Sequence, residues 1–241
     1  MLRKGRKGRG LAVLESFSVT EKTQLILASN SPRRRQLLAL TGWKFIVSAA
    51  DVDESQTPNE NPADYVLRLA ETKARATAAA GADPDQLTLA ADTTVVDGSD
   101  ILGKPKDGVE ATTMLKRLRG HTHQVYTGVA LLRLSDRLLL TDLCVTHVPM
   151  RDYSNEEINA YVQTGDPLDK AGAYAIQHPK FHPVASLEGC FASVMGLPVC
   201  HVIRMMRKMD IQPHTDFFAG CEARLEHWKC PVSNAILNGE M

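Results

Sequence analysis

LILASNSPRRRQLLALTG, residues 25–42, predicts a strand, a tight turn and a helix in immediate succession. The apolar run at 25–28 is typical of a short buried strand. Ser31 is a suitable N-cap with Pro32 at the first helical position, and Gly42 is suited to end the helix. The unit therefore places a polar turn at the end of a buried strand.

The rest of the chain alternates between helical and extended patterns. Four further helices are predicted, at 62–81, 110–119, 154–164 and 199–209. Three further strands are predicted, at 86–97, 124–134 and 138–150. Asn61 can cap the first of these helices, and Ser154 with Glu157 forms a capping box. Because the last two strands are long and adjacent, the sheet must have an antiparallel part. We expect an α/β fold, a mixed sheet flanked by helices.

Charge is distributed unevenly, although 28 Lys and Arg balance 28 Asp and Glu in the 241 residues. The first ten residues, MLRKGRKGRG, carry five basic side chains and no acidic one. A net charge of zero excludes a wholly basic nucleic-acid-binding protein and a wholly acidic tail protein. The hydrophobic share of 44% is enough to build a core. We expect residues 1–22 to form a flexible basic arm, 23–208 the folded domain and 209–241 a C-terminal extension.

The sequence carries no strong signal for export or membrane insertion. No apolar run approaches the roughly 18–20 residues that span a bilayer. The apolar patch at 11–14 is shorter than the about 7–15 residues of a signal-peptide core. Five cysteines, an odd number without paired spacing, indicate reduced thiols. We expect a cytoplasmic protein without a membrane partner; nucleic acid is a weak candidate partner, and a homodimer stays open.

Several familiar catalytic motifs are missing from the sequence. It contains no G-x-G-x-x-G after a strand, no G-x-x-x-x-G-K-[ST], no H-E-x-x-H and no G-x-S-x-G. Dinucleotide-binding, P-loop, zincin and α/β-hydrolase interpretations therefore lose most of their support. Polar residues at the ends of apolar strands remain as candidates.

Four short segments could carry chemistry. The turn at 29–34 begins a helix, where backbone N–H groups, two arginines and the hydroxyls of Ser29 and Ser31 suit a phosphate. Asp92, after LTLAA, could hold a metal ion or orient a water molecule. Lys104 is fixed between glycine and proline, and residues 164–177 place two Asp and one Lys before small residues. Each segment also has a plain interpretation: a capped surface helix, a turn aspartate, a loop lysine, or a helix end followed by a strand.

The order of these segments is more specific than any one of them. The series begins with L-A-S-x-S-P-R-R, V-D-E at 52–54, Y-V-x-R-L-A-x-x-K-A at 65–74, A-D-T-x-V at 91–95 and G-K-P at 103–105. It ends with T-G-x-P-L-D-K-A-G-A-Y-x-I-Q at 164–177 and M-G-L-P at 195–198. Over about residues 23–208, the chain resembles the Maf family of nucleoside triphosphate pyrophosphatases.

The resemblance implies an activity, a fold and a set of site residues. Maf proteins cleave a nucleoside triphosphate between the α- and β-phosphates with a divalent cation, Mg²⁺ or Mn²⁺. Their mixed, elongated sheet has a deep cleft between two lobes. By motif position, Asp92 corresponds to the proton acceptor that activates water, and Glu54 is the second carboxylate near the metal. The basic residues expected to face the triphosphate are Arg34, Lys73 and Lys104.

Three positions favour one branch of the family. The branch that prefers dTTP and UTP resembles this chain at Arg33, Thr93 and Gln177, whereas a branch that prefers 7-methyl-GTP tends to carry Trp, Gln and Glu there. A Gln amide can donate to and accept from the O4/N3–H edge of uracil or thymine. Trp and Glu suit a cationic methylated purine. The implied function is dTTP/UTP hydrolysis, with a house-cleaning role as an option. The alternatives are a 7-methyl-GTP pyrophosphatase and a non-catalytic nucleotide-binding regulator of septum formation.

Two regions depart from the family pattern. The stretch 178–183 replaces the usual glycine-rich link, and we interpret its His178 and His182 as loop residues rather than ligands of a metal or phosphate. The tail beyond Asp210 contains Cys and His residues whose spacing fits no common zinc site: His214, Cys221, His227 and Cys230. Its larger apolar residues are expected to pack onto the body: Phe217, Phe218, Leu225 and Trp228.

Overall fold

The computed structural model describes residues 24–81, 83–187, 189–223 and 230–240, so the predicted basic arm lies outside the described residues. The strands are β1 (Leu25–Leu27), β2 (Phe45–Val47), β3 (Leu87–Asp97), β4 (Asp100–Leu102), β5 (Thr122–Arg133) and β6 (Leu138–Pro149). The helices are α1 (Pro32–Ala39), α2 (Pro62–Ala80), α3 (Gly108–Leu118), α4 (Asn155–Gln163), α5 (Phe191–Val194), α6 (Val199–Arg207), α7 (Phe217–Glu222) and α8 (Ser233–Asn238). None of the helices in these ranges is long and apolar enough to cross a membrane.

The six strands form one mixed sheet in the order β2-β1-β3-β5-β6, with β4 paired to the edge of β3. β1 is parallel to both β2 and β3. β5 is antiparallel to β3 and to β6, and the β5–β6 ladder runs from Thr122 opposite Pro149 to Arg133 opposite Leu138. The predicted mixed α/β sheet with flanking helices is confirmed, including its antiparallel part.

One edge of β3 is only partly covered. β1 pairs with Leu87–Leu89 of β3, and β4 pairs with Val95–Asp97. No described strand pairs with residues 90–94 on this edge, although β5 pairs with them on the other. Since β1 also ends here, its following turn opens into the same gap. Open α/β sheets commonly bind ligands at such a point, beyond the carboxyl ends of parallel strands.

Helix α2 lies against one face of the sheet through small residues. Three alanines of α2 pack against Ala90 of β3 and Ala130 of β5. Gly128 of β5 permits this approach, because a Cβ atom there would lie 2.6 Å from the carbonyl oxygen of Val66. The close packing brings the middle of α2, with Lys73, over β3. The larger apolar core, which includes residues of α3, α4 and α6, packs on the other face.

The capping residues predicted for three helices are confirmed. Ser31 caps α1 and Asn61 caps α2, each through a side-chain oxygen that accepts a backbone N–H. Ser154 and Glu157 form the predicted capping box of α4, and Gly165 follows that helix in the left-handed conformation. These local signals need no tertiary contact, which is why the sequence alone was sufficient to find them.

Several features differ from the sequence-based expectation, among them the short helices α5, α7 and α8, which were not predicted. Helix α3 begins at Gly108 rather than at residue 110, because the Asp107 side chain caps it. Strand β2 was not predicted, since two of its three residues are exposed at the sheet edge and leave no buried apolar run. The plain interpretation of residues 164–177 as a helix end followed by a strand is wrong in its second part, because short 3-10 turns occupy Asp166–Asp169 and Ala171–Ala173.

The C-terminal extension packs against the first helical unit. The indole Nε1 of Trp43 donates to the carbonyl of Gln212 at 2.8 Å, and the backbone N–H of His214 donates to the carbonyl of Thr41 at 2.7 Å. Phe217 is 3% exposed and belongs to the main core, as predicted. Residues 210–217 therefore continue the body of the protein rather than extend away from it.

Other tail predictions are only partly covered by the structure. Phe218 is partly buried against the core, as predicted. Leu225, His227 and Trp228 lie outside the described residues. Within the described ranges, no group of three His, Cys, Asp or Glu side chains could hold a metal ion.

Candidate active site

A cleft of about 750 Å³ opens at the partly uncovered edge of β3. Its volume is in the range of small-molecule binding sites. It contains every residue that the sequence analysis proposed for the site: Ser29, Ser31, Arg33, Arg34, Glu54, Lys73, Asp92, Thr93, Lys104 and Gln177. The fold therefore brings together residues that are up to 148 positions apart, from Ser29 to Gln177.

Lys73 bridges two carboxylates inside the cleft. Its Nζ lies 2.5 Å from Asp92 Oδ1 and 2.6 Å from Glu54 Oε1. The side chains of Asp92 and Lys73 are 9% and 13% exposed, whereas that of Glu54 is 52% exposed. The Tyr65 hydroxyl donates to the Glu54 carbonyl at 2.9 Å and so ties the loop after β2 to α2. A helix, a strand and a loop each supply one charge to this cluster.

The pKa values of the two carboxylates are shifted in opposite directions. Burial raises the pKa of Asp92 above its ordinary range, and the charges of Lys73 and Arg34 oppose that rise without cancelling it. Burial also acts to raise the pKa of Glu54, but the hydrogen bond and charge of Lys73, together with Lys104 and Arg34, lower it overall. Because its pKa is raised, Asp92 is a stronger base than an ordinary aspartate, which suits it to accept a proton.

Arg34 is held in place by groups from three parts of the chain. Its Nε donates to the carbonyl of Gly196 at 2.8 Å, its Nη1 to Ser29 Oγ at 3.4 Å and its Nη2 to Thr93 Oγ1 at 3.4 Å. Burial lowers the pKa of this guanidinium, with Asp92 acting in the opposite sense. A planar guanidinium fixed in this way is suited to bind phosphate oxygens.

The serine turn is ordered by its own hydrogen bonds. Ser31 Oγ accepts the backbone N–H of Arg34 at 3.4 Å, and Ser29 Oγ accepts that of Ser31 at 3.2 Å. Both hydroxyl oxygens act here as acceptors, so each O–H group can still donate a hydrogen bond to a ligand in the cleft. This arrangement is compatible with the predicted phosphate-binding role of the turn.

Thr93 supports Arg34 as well as facing the cleft. Its hydroxyl lies 3.0 Å from the hydroxyl of Thr127, which in turn donates to the carbonyl of Ser193 at 2.9 Å. The same Thr93 oxygen accepts from Arg34. A residue proposed from the sequence as a specificity position is therefore also a link between β3, β5 and the guanidinium.

The remaining predicted residues lie nearer to solvent. Arg33 lies 3.8 Å from Asp169, Nη1 to Oδ2. Lys104 is exposed on a loop whose Gly103 carbonyl accepts the backbone N–H of Gly172 at 3.1 Å. Gln177 is exposed at the cleft, where its amide can meet a ligand.

The sequence analysis did not assign a role to Lys170 or Tyr174, and both line the cleft. Lys170 is 7% exposed, and the Tyr174 hydroxyl lies 2.9 Å from Nε2 of the buried His123. Both belong to the segment 164–177, which the sequence indicated only as a whole as a candidate for chemistry. A buried lysine is uncommon, however, and nothing in the pattern indicated that this one would be enclosed.

The histidines of the atypical 178–183 stretch have structural roles. His178 Nδ1 accepts the backbone N–H of Phe181 at 3.0 Å, and its ring packs against Tyr161. Burial lowers the pKa of His178. The carbonyl of His182 accepts from the Arg151 guanidinium at 2.7 Å. The interpretation of both residues as loop histidines fits these contacts.

Asp92 and Glu54 are suitable ligands for a divalent cation. The two carboxylates lie close to each other in the cleft, since each contacts Lys73 Nζ through one of its oxygens. Mg²⁺ and similar hard cations bind to one or two carboxylates and take further oxygens from substrate phosphates. Since no third His, Cys, Asp or Glu joins the pair in the described part of the chain, the substrate would have to supply part of the coordination.

Comparison with known families accounts for the motif order. The family model described as Maf-like protein matches residues 24–209. The chain belongs to the Maf family. The resemblance drawn from the sequence is confirmed, and the cleft described above lies wholly within the Maf domain.

Several similar Maf proteins are each named dTTP/UTP pyrophosphatase. The protein from Hahella chejuensis is 44% identical over 196 residues, which is 81% of this chain and 96% of the relative. Those from Geobacter metallireducens and Myxococcus xanthus are 45% identical over 189 residues and 46% identical over 191 residues. These alignments cover 78% and 79% of this chain, and 97% and 95% of the relatives. Nearly the full length of each relative therefore corresponds to part of this chain.

Proposed function

We propose that this Maf protein is a nucleoside triphosphate pyrophosphatase that hydrolyses dTTP and UTP to the monophosphate and pyrophosphate. The observation that carries the proposal is the buried Asp92 carboxylate, joined through Lys73 to Glu54 and set beside Arg34 in one cleft. The 44–46% identity to proteins named dTTP/UTP pyrophosphatase supports the same reaction and the same pair of substrates.

Asp92 is the proposed general base. Lys73 donates to Asp92 Oδ1. No described residue is hydrogen-bonded to Oδ2, so this second oxygen can contact a water molecule. The water oxygen forms a bond to the α-phosphorus, its proton passes to Asp92, and the bond from that phosphorus to the bridging oxygen breaks. Pyrophosphate leaves with the electron pair. Because burial raises the pKa of Asp92, this carboxylate is a stronger base than an exposed one.

Arg34, Lys73 and Lys104 are the groups proposed to stabilise the departing pyrophosphate. Arg34 is fixed by three acceptors and Lys73 by two carboxylates, so neither has to reorganise far when negative charge develops. Preorganised donors of this kind are worth about 2.7–4 kcal/mol each in the transition state. Ser29 and Ser31 add hydroxyl donors at the same end of the cleft.

We propose Mg²⁺ or Mn²⁺ as the cofactor, with Asp92 and Glu54 as its protein ligands. When bound, the cation neutralises part of the triphosphate charge and polarises the phosphate that is attacked. The low pKa of Glu54 keeps that carboxylate ionised and ready to bind a cation over the physiological pH range.

Substrate choice is assigned to the cleft wall formed by the segment 169–177. Gln177 is exposed there, and its amide matches the mixed donor and acceptor edge of uracil and thymine. Arg33 adds a positive charge that disfavours a cationic base such as 7-methylguanine. Thr93 acts through its hydrogen bond to Arg34.

Two alternatives remain distinct from this proposal. A 7-methyl-GTP pyrophosphatase would use the same general base and the same basic side chains, but different residues to recognise the nucleobase. A non-catalytic nucleotide-binding regulator of septum formation would not need a basic, buried carboxylate, so the position of Asp92 favours the enzyme. We place the activity in the cytoplasm, where nucleoside triphosphates and reduced cysteines occur, with house-cleaning as an option. We propose no membrane or nucleic-acid partner, and a homodimer stays open.

The test is pyrophosphate release from a panel of nucleoside triphosphates with Mg²⁺ or Mn²⁺. We expect the highest kcat/KM for UTP and dTTP, and a loss of at least about 100-fold in Asp92→Asn, as is usual when a general base is removed. Absence of turnover with every triphosphate would contradict the enzymatic proposal. A preference for 7-methyl-GTP would contradict the proposed branch.

A further inference from the structure

Lys170 is a buried cation in the wall of the cleft. It is 7% exposed, and its Nζ lies 2.5 Å from the Asp166 carbonyl, 3.0 Å from Asp166 Oδ1 and 2.5 Å from Asp169 Oδ1. Three acceptors match the three N–H donors of the ammonium. Lys170 is therefore occupied by protein oxygens and is poorly placed to serve as a further phosphate ligand.

The ion pairs continue from Lys170 to the cleft rim. Asp169 uses Oδ1 for Lys170 and directs Oδ2 to Arg33 Nη1 at 3.8 Å. At the inner end, the Tyr161 hydroxyl donates to Asp166 Oδ2 at 2.7 Å. The result is a chain of alternating charges, Asp166–Lys170–Asp169–Arg33, anchored in the interior at one end and reaching the cleft at the other.

The position of Arg33 at the start of α1 makes a negatively charged partner favourable. It lies in the first turn of α1, where the helix dipole disfavours a positive charge. Its neighbour Arg34 is turned inward by three acceptors, whereas the only ion pair recorded for Arg33 among the described residues is with Asp169. Without Asp169, the flexible guanidinium would be drawn to the triphosphate instead of remaining against the segment that leads to Gln177.

The segment that carries Asp169 is itself tightly fixed. Gly172 adopts a φ of +67°, and a Cβ atom there would lie 2.9 Å from the Val95 side chain. The Tyr161 hydroxyl accepts the backbone N–H of Ala175 at 3.0 Å, two residues before Gln177. Asp169 and Gln177 therefore belong to one rigid wall, so that the position of Arg33 is set relative to Gln177.

We propose that Asp169, held by the buried ammonium of Lys170, is a positioning residue that keeps Arg33 against the cleft wall formed by residues 169–177 and so contributes to discrimination against a cationic base. The inference rests on the proposed function. It assigns to Asp169 no contact with the reacting atoms and no role in proton transfer. Asp169 is expected to affect KM and the selectivity for the nucleobase.

The test is a double-mutant cycle of Asp169→Asn and Arg33→Gln. For each variant, the kcat/KM ratio of UTP to 7-methyl-GTP is measured together with equilibrium binding of their non-hydrolysable α,β-imido analogues. We expect Asp169→Asn to lower the UTP preference about tenfold, which corresponds to ~1.4 kcal/mol, mainly through KM. In the Arg33→Gln background, the same substitution should change the preference no further.

Controls separate this inference from folding effects and from the proposed function. Asp169 is 69% exposed, so its substitution should leave the fold intact, and Asp136→Asn removes a carboxylate from another Arg ion pair in the distant β5–β6 turn. Asp136→Asn should leave the preference unchanged. If the protein binds the analogues but hydrolyses neither triphosphate, the proposed function fails while the binding ratios still test Asp169. An unchanged ratio in Asp169→Asn, or independent effects of the two substitutions, would overturn the inference.

Discussion

Asp92 and Thr93 are adjacent in the sequence, but alternation along β3 directs their side chains to opposite faces of the sheet. Asp92 meets Lys73 from α2 on one face, and Thr93 meets Thr127 and Arg34 on the other. Both faces reach the cleft because the edge of β3 is uncovered at residues 90–94. A single dipeptide can therefore supply the proposed base on one side and support a phosphate-binding guanidinium on the other.

The role assigned to Gln177 predicts a substrate-dependent effect of Gln177→Glu. The substitution removes an N–H donor and places negative charge beside the O4 acceptor of uracil or thymine. We expect kcat/KM for UTP and dTTP to fall about tenfold, the scale of one hydrogen bond together with charge repulsion. Gln163→Glu, the same chemical change at an exposed position of α4, should have little effect. Equal losses for triphosphates without this base edge would argue against base reading by Gln177.

Among the elements, regular helix starts can be predicted from the sequence, whereas irregular turns cannot. Ser31, Asn61 and the Ser154–Glu157 pair mark helix starts through contacts within four residues, so their prediction holds. The partners of Lys170 are also close in sequence, but their oxygens are presented by the 3-10 turn at Asp166–Asp169, which no periodicity indicates. The site residues themselves came from the order of family motifs, not from any local pattern.

The contact between α2 and β5 predicts a packing defect in Gly128→Ala. A Cβ atom would lie 2.6 Å from a backbone oxygen of α2, and a backbone cannot rotate away as a side chain can. We expect unfolding free energy to fall by about 1–3 kcal/mol, as for other overpacked sites. Gly108→Ala, at the start of α3, meets only the Val162 side chain and should lie within about 0.5 kcal/mol of the wild type. Denaturant unfolding measures both, and equal stability of the two variants would contradict the packing described.

The loop that carries Glu54 is clamped by an ion pair, which predicts a pH dependence. Arg68 donates to both Glu60 carboxylate oxygens, at 2.6 and 2.7 Å, and to the Ser55 carbonyl at 3.0 Å. The hydrogen bonds from Arg68 lower the pKa of Glu60 to about 2. Because this pKa is depressed in the folded state, the stabilisation is present above the ordinary Glu pKa and is lost as pH falls toward 2.

The corresponding measurement compares Glu60→Gln with the wild type by unfolding at several pH values. The variant should be less stable at neutral pH, and the difference should narrow as pH falls below about 4.3, the ordinary Glu value. Glu71→Gln, which removes an exposed pair with Arg75 on α2, should change stability little. A stability difference for Glu60→Gln that stays constant down to pH 2 would count against the clamp.

At the scale of the whole molecule, a net charge of zero conceals a strongly local arrangement. Arg34, Lys73 and Lys104 come from three separate parts of the chain and line one cleft, with Asp92 and Glu54 between them. The C-terminal extension supports the site indirectly. It is bound by Trp43 and Thr41, and these two residues follow the helix that carries Arg34. The architecture thus concentrates positive charge where a triphosphate would bind, without making the protein basic.

The central claim is that water activated by Asp92 attacks the α-phosphorus, and hydrolysis of UTP in ¹⁸O-labelled water tests it most directly. Mass spectrometry of the products identifies which phosphorus received the new oxygen. We expect one ¹⁸O atom in UMP and none in pyrophosphate, with the rate of labelling strongly reduced in Asp92→Asn. Label found in pyrophosphate, or UMP labelled at an undiminished rate in Asp92→Asn, would contradict it.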